Sequence, residues 1–302
     1  MDFMELTKDI VGSDNVFINE KMDRHTTMRV GGPARCLVTP ESSESLCKLI
    51  HMCREHNVKY YVIGNGSNLL VSDNGYDGII IKIGRRMSNI TINGEFITAE
   101  AGALMSAVGA VALREALTGF EFAAGIPGTI GGGCVMNAGA YDGELKNVLV
   151  SLKAITPDGE LKVFNVDEME LGYRTSRFID QDYVILEATI RLAHGDRQQI
   201  EDRMSELSQL RRDKQPLELP NAGSTFKRPQ GDFAGRLIEA AGLKGKGVGD
   251  ACVSDKHAGF VVNKGNATAQ DVYDTIKMVI DTVYEQNSII LEPEIRMIGN
   301  FT

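Results

Sequence analysis

"VKYYVIGNGSNLL", residues 58–70, starts as a strand and ends in a glycine loop, and the reading of that loop decides the fold class. A Rossmann fingerprint is G-x-G-x-x-G at the opening of a helix, with an acidic residue about 20 positions further on. Here Gly64, Asn65, Gly66, Ser67 and Asn68 are followed by Leu69 where the third glycine belongs, and the next residues, "LLVSD", read as a strand. The doubly wound dinucleotide fold is therefore set aside. A loop between two strands can still hold an anion, because successive N–H groups around glycines form a nest. The Ser67 hydroxyl and Asn68 amide would add donors. The other reading is a tight strand-to-strand turn, and the loop alone leaves both open.

Working outward, "ARCLVTP" reads as a strand. A helix follows, with Pro40 near its start and Leu46, Leu49, Ile50 and Cys53 at helical spacing. With "VKYYVIG" this makes a βαβ unit over residues 34–64, expected to have parallel strands. Short strands follow ("LLVSD", "GIIIKIG", "GEFITAEAG"), then a largely buried helix over 103–117. Residues 119–143, "GFEFAAGIPGTIGGGCVMNAGAYDG", are so rich in glycine that no amphipathic helix is expected there. Strands return at "VLVSLKAIT" and "DYVILEATIRL", and a polar helix follows His194. A last helix starts near Thr268, with Val272, Ile276, Val279, Ile280 and Val283 on one face, and "SIILEPEIRMIG" closes as a strand. The fold class is α+β, in two parts meeting near residue 195.

The bulk properties narrow the function. The 302 residues carry a net charge of −9, with 43% hydrophobic and 24% charged residues and no long basic run. That argues against a nucleic-acid or membrane-surface binder. The N-terminus has acids where a signal peptide would carry lysines, and no stretch nears the roughly 18 apolar residues of a membrane span. Five cysteines without a C-x-x-C pair, and histidines without ligand spacing, point to no disulfide framework and no metal site. A cytosolic protein is expected.

Two decoys fall away. "STFK" at 224–227 fits S-x-x-K and "SDN" at 72–74 fits a second penicillin-binding-protein motif, but their order is reversed and no K-T-G follows. Neither a phosphate loop of the G-x-x-x-x-G-K-[ST] type nor a G-x-S-x-G elbow is present. Two features remain. A glycine costs roughly 0.5–1 kcal/mol in an ordinary element, so the second glycine segment implies close backbone approach, to a cofactor or to other backbone. "RRDKQPLELPNAGSTFKRP" gathers Arg211, Arg212, Lys214, Lys227 and Arg228 in an acidic chain, either as a solvated face or to receive a phosphate or carboxylate. In "LEPEIRMIG", alternation sets Glu292, Glu294 and Arg296 on one face, consistent with a salt-bridged surface.

"HTTMRVGGPA", "VIGNGSNLLVSD", "GFEFAAGIPGTIGGGCVMNAGAY", "GYRTSRF", "NAGSTFKRP", "GLKGKGVGDACVSDKHAGFVVN" and "LEPEIR" occur in that order. Together they resemble the UDP-N-acetylenolpyruvoylglucosamine reductase family, over nearly the whole chain from about residue 22. The resemblance implies an N-terminal segment over 1–21 and a vanillyl-alcohol-oxidase-like FAD-binding region over 22–195, in subdomains of about 22–80 and 81–195. A substrate-binding domain over 196–302 would follow. It implies non-covalent FAD and NADPH-dependent reduction of the enolpyruvyl sugar to UDP-N-acetylmuramate for peptidoglycan. Hydride would pass through flavin N5 to C3 of the enol ether, with protonation at C2.

By motif, the FAD pyrophosphate falls to Gly64, Asn65, Gly66, Ser67, Asn68 and Leu69. The other side of the flavin falls to Gly125, Ile126, Pro127, Gly128, Ile130, Gly131 and Gly132, with Asn137, Gly139 and Tyr141. Arg174 and Glu294 would flank the enolpyruvyl group and Ser224 would face C2. Tyr173, Arg211, Lys214, Lys227, Arg228 and His257 would touch substrate, the diphosphate falling to Arg211 and Lys214, with nicotinamide and substrate sharing one pocket in turn. Two residues depart from the family pattern: Arg228 in "FKRP" stands for an asparagine of other members, and His257 for a glutamine. The shorter subtype, without the extra tyrosine loop, is implied. An FAD-dependent sugar or alcohol oxidase and a non-catalytic nucleotide-sugar or flavin binder are the competing readings. His25 lies outside the glycine loops, which disfavours the covalent flavin link of many such oxidases.

Overall fold

The computed structural model describes residues 3–302, so Met1 and Asp2 of the expected N-terminal segment lie outside it. The chain forms two compact units. One comprises residues 1–17, 36–65 and 78–210; the other comprises 18–35, 66–77 and 211–302. Both are woven from separated stretches, so linear order and compactness divide the chain differently.

The first unit contains helices α1 (Phe3–Val11), α2 (Ser43–Glu55), α3 (Met105–Arg114) and α4 (Ile130–Val135), and α5 (Arg197–Lys214) through Leu210. Ser42 caps α2 by accepting from the Ser45 N–H, and Ser45 answers in a capping box. Pro40 precedes this cap instead of sitting inside the helix. Leu46, Leu49, Ile50 and Cys53 are all buried, as the helical spacing predicts. A five-stranded antiparallel sheet runs in the order Leu161–Asn165, Leu149–Ile155, Val184–Arg191, Phe96–Glu100 and Ile90–Asn93. The strands flanking α2, Pro33–Val38 and Tyr60–Ile63, share a sheet but are not neighbours. Tyr76–Lys82 lies between them and pairs in parallel with Tyr60–Ile63.

A short helix through three consecutive glycines was not expected from sequence. α4 forms because Thr129 caps it and because its glycines admit close packing: a Cβ on Gly131 would stand 2.9 Å from the Ala101 Cβ, and one on Gly133 would stand 3.0 Å from Met105 Sδ. Helix propensity loses here to tertiary fit.

The second unit holds α6 (Ala234–Ala240) and α7 (Ala269–Asn287). Val272, Ile276, Val279 and Val283 of α7 are buried, and the helix packs on the antiparallel strands Gly247–Val248, Ala251–Val253 and Val261–Asn263. Thr268 caps α7, and both carboxylate oxygens of Asp73 accept from the Ala269 and Gln270 N–H groups at 2.9 Å. The motif-like "SDN" is thus a helix anchor. The closing strand is short, only Arg296–Ile298, and pairs in parallel with Leu69–Val71.

All five cysteines are free, and burial pushes the Cys53 and Cys134 thiols up to about 12. Among the described residues no group of three or more metal-ligating side chains occurs, and no helix is long and apolar enough to cross a membrane.

Candidate active site

The chain passes from the first unit to the second between Asn65 and Gly66. On the first-unit side, Gly64 lies so close to Thr129 that a Cβ would stand 2.2 Å from its hydroxyl oxygen, and Asn65 Nδ2 donates to the Pro127 carbonyl at 2.7 Å. On the second-unit side, Gly66 takes φ +64°, and a Cβ there would fall 2.0 Å from the His25 carbonyl oxygen. The Gly66 carbonyl accepts from the Thr27 N–H at 3.2 Å. Among the described residues, the N–H groups of Asn65, Gly66, Ser67 and Asn68 have no acceptor in the protein, and neither does the Ser67 hydroxyl. Four successive donors in a half-buried loop are open to water or to a ligand. A diphosphate supplies oxygens of the right kind, so these residues fit FAD. The Asn68 amide, expected to serve a phosphate, donates one hydrogen bond to the Glu294 carbonyl at 3.1 Å.

The second glycine segment is built differently. The N–H of Ile130 donates to Ala103, that of Gly131 to Ala101, and that of Gly132 to the Thr129 hydroxyl. The Gly128 carbonyl accepts from Met105, and Ile130 is buried. Gly125 and Pro127 stay exposed, with Ile126 half-buried. Asn137 is fully buried, and its amide bridges Glu144, the Gly172 carbonyl and the Lys146 N–H, each at 2.9 Å. Its side chain therefore braces the hairpin against the Gly172 turn. Gly139 and Ala140 pair with Gly143 and Glu144 in a tight hairpin whose turn residues, Tyr141 and Asp142, both have positive φ (50° and 65°). Such a turn normally takes Asn-Gly. A tyrosine held there marks the kind of strain that gathers at functional sites.

Arg174 also has positive φ, 52°, in the tight turn closed by Gly172 and Thr175. Its Nη2 donates to the Gly139 carbonyl at 3.0 Å, and its guanidinium lies 5.3 Å from the centre of the exposed Tyr173 ring. The Arg174 turn and the Tyr141 hairpin are therefore one assembly within the first unit.

In the second unit, Asn221 Oδ1 accepts from the Gly223 N–H at 2.9 Å, and Gly223 turns the chain at φ +78°. Phe226 bridges antiparallel to Pro293, Thr225 O accepts from Glu294 N at 2.7 Å, and Lys227 N donates to Glu292. That register places Thr225 opposite Glu294 and Ser224 one residue away. Thr225 is buried, its hydroxyl accepting from Val261 N. Ser224 is exposed, and among the described residues its hydroxyl has no hydrogen-bond partner.

The basic residues divide. Lys227 pairs with Glu292 at 3.1 Å, so the lysine is already matched. Arg228 lies 4.4 Å over the Phe233 ring. His257 accepts from Gly259 N at its Nδ1 and meets Phe260 edge-on, and burial holds its pKa below the ordinary histidine value. Arg211 and Lys214 sit in the last turn of α5, Lys214 exposed.

A profile described as "UDP-N-acetylenolpyruvoylglucosamine reductase, C-terminal domain" matches residues 215–298, and one described as "FAD binding domain" matches 34–165. The UDP-N-acetylenolpyruvoylglucosamine reductase of Clostridium perfringens is 48% identical over 299 residues, 99% of this chain and 98% of that one. The chain belongs to the UDP-N-acetylenolpyruvoylglucosamine reductase family. A Clostridium tetani member is 49% identical, covering 99% of this chain and 97% of its own. The crystal structure of the Thermus caldophilus enzyme superposes with a TM-score of 0.79 at 35% identity, over 92% of this chain and 97% of that one. The α+β fold with an FAD-binding domain is that of the family.

Three contributors went unseen in the sequence: Thr129, Thr27 and Asn221. A threonine before a short turn of helix is a cap signal, and an asparagine two residues before a glycine is an Asx-turn signal. Thr27 carries no such local mark.

Proposed function

We propose that this chain reduces UDP-N-acetylenolpyruvoylglucosamine to UDP-N-acetylmuramate with FAD and NADPH, a step of peptidoglycan precursor synthesis in the cytoplasm. In this reading residues 22–195 form the FAD-binding region and 196–302 the substrate-binding domain. The observation that carries it is the register of Thr225 on Glu294 in a member of this family, which sets the exposed Ser224, its hydroxyl without a protein partner among the described residues, one residue from that pair.

The unengaged N–H groups of 65–68 would hold the FAD pyrophosphate, and bound FAD would supply hydride transfer from NADPH to C3 of the enolpyruvyl group. Negative charge then develops at C2 and in the carboxylate. Arg174, fixed by its turn and by the Gly139 carbonyl, would stabilise that charge as it forms, which is where preorganised cations act best. Ser224 would hand its proton to C2. A hydroxyl is a weak acid in water, but suffices against a strongly basic carbanion. Glu294 would orient the reacting group from the neighbouring position. Lys214, which is exposed, and the half-buried Arg211 would take the diphosphate, Tyr173, Arg228 and His257 would border the sugar, and NADPH and substrate would use one pocket in turn. Lys227 would act through its pair with Glu292.

An anaerobic absorbance spectrum tests this directly. The flavin band should bleach with NADPH and return when the enolpyruvyl compound is added. In Ser224→Ala the bleaching should persist, while the return slows by about 10²–10⁴-fold. A protein that takes up no FAD, or a reduced flavin that the enolpyruvyl compound leaves bleached, would refute the proposal.

A further inference from the structure

We infer that Thr27 is a positioning residue that couples occupancy of the phosphate loop to the placement of the proton donor; this rests on the function proposed above. Two hydrogen bonds of one residue carry it. The Thr27 N–H donates to the Gly66 carbonyl at 3.2 Å, inside the loop whose donors await a diphosphate. The Thr27 hydroxyl donates to the Asn221 carbonyl at 2.6 Å, 194 positions along the chain. Asn221 begins the turn that presents Ser224: its Oδ1 accepts from Gly223 N, and its Nδ2 donates to the carbonyls of Pro216 and Leu219. Thr27 therefore stands one hydrogen bond from the loop and one from the residue that sets the Ser224 turn.

The path is stiff at both ends. Gly66 packs closely on the His25 carbonyl, with no room for a side chain between them, and its own carbonyl is bonded to Thr27, so the loop and residues 25–27 touch at two points. Thr26 is buried and bonded to the Val30 carbonyl, which fixes the backbone from which Thr27 projects. A second link runs beside it, since the Asn68 amide holds the Glu294 carbonyl while Asn68 O accepts from Arg296 N at 3.0 Å. The serine and the glutamate thus each hang from the same three-residue stretch of loop. Ordering the loop around a diphosphate would order both.

Thr27→Val keeps the shape and removes the hydroxyl donor; Thr27→Ser keeps the donor. In rapid-mixing experiments on the FAD-loaded protein, Thr27→Val should slow reoxidation by the enolpyruvyl compound roughly ten- to hundredfold, as small misplacements of reacting groups do. KM for that compound should be little changed, and Thr27→Ser should recover most of the rate. A second readout does not depend on turnover. Hydrogen exchange at the amides of 221–226 should slow when FAD is added to the wild-type apoprotein, and should respond much less in Thr27→Val. Equal FAD-induced protection in the valine variant, or a serine variant no better than valine, overturns the inference and leaves the function standing. Wild-type protein that binds no FAD overturns both.

Discussion

At 65–68 a run of N–H groups finds no acceptor in the protein, and glycine is required there by a left-handed φ and by the His25 carbonyl. At 130–133 each N–H is taken by a neighbouring carbonyl or by Thr129, and Gly131 and Gly133 are required by Ala101 and Met105. The two loops look alike in composition. In the first, glycine frees donors for something that is not protein; in the second, it lets protein pack on protein. Glycine content therefore locates close approach, and the hydrogen-bond ledger says what approaches.

Gly66→Ala should break the comparison most visibly. The added methyl meets a carbonyl and the left-handed backbone is lost to the loop, so FAD affinity, read by flavin fluorescence, should fall on the order of a hundredfold or more, the loss expected for a few hydrogen bonds to a charged group. If FAD binding survives, the nest does not hold the diphosphate. Gly131→Ala should do the reverse. Overpacking against Ala101 should remove about 1–3 kcal/mol of apoprotein stability in urea, with FAD affinity of the folded protein unchanged. Loss of affinity without loss of stability would make α4 a ligand site after all.

Thr129→Val sharpens the contrast at lower amplitude. Removing this cap should cost about 1 kcal/mol of stability. A larger deficit in FAD binding than in stability would show that the hydroxyl against Gly64 also shapes the first loop. The smallest effect lies outside both loops. His257 has a folded-state pKa held down by burial, so the unfolded chain protonates first as pH falls. Its contribution is intact above the unfolded value near 6.5 and is lost as pH drops through the folded one. His257→Gln should flatten that part of the stability–pH curve, and an unchanged slope would assign it to other groups.

Much of this architecture was legible in the chain. The apolar face of α2 and that of α7 follow from 3.6-residue spacing, and both are buried as expected except at Ile280, which is half-buried. Leu69 in place of a glycine correctly excluded the Rossmann helix. What stayed hidden depended on partners distant in sequence. No local pattern announces that Gly131 rests on Ala101, that the Asn68 amide turns toward Glu294, or that Lys227 is matched by Glu292. Asn137 illustrates the limit best. Its place in a motif suggested a ligand, and no local pattern announced the full burial and three protein bonds of its side chain.

The parallel pairing of Leu69–Val71 with Arg296–Ile298 has a consequence for synthesis. The stretch that leaves the loop at 65–68 finds its partner strand far along the chain; Asn68 and Glu294 are 226 residues apart. Closing so long a loop is only modestly harder than closing a shorter one, at about 0.6 kcal/mol per doubling of length. Its timing is another matter, because non-local strand pairs form late. While the ribosome is still translating, α2 and its neighbouring strands can already fold, but the loop's exit strand remains unpaired. The exit strand of that loop therefore completes its pairing only after residue 298 has been made, long after α2 is available to fold.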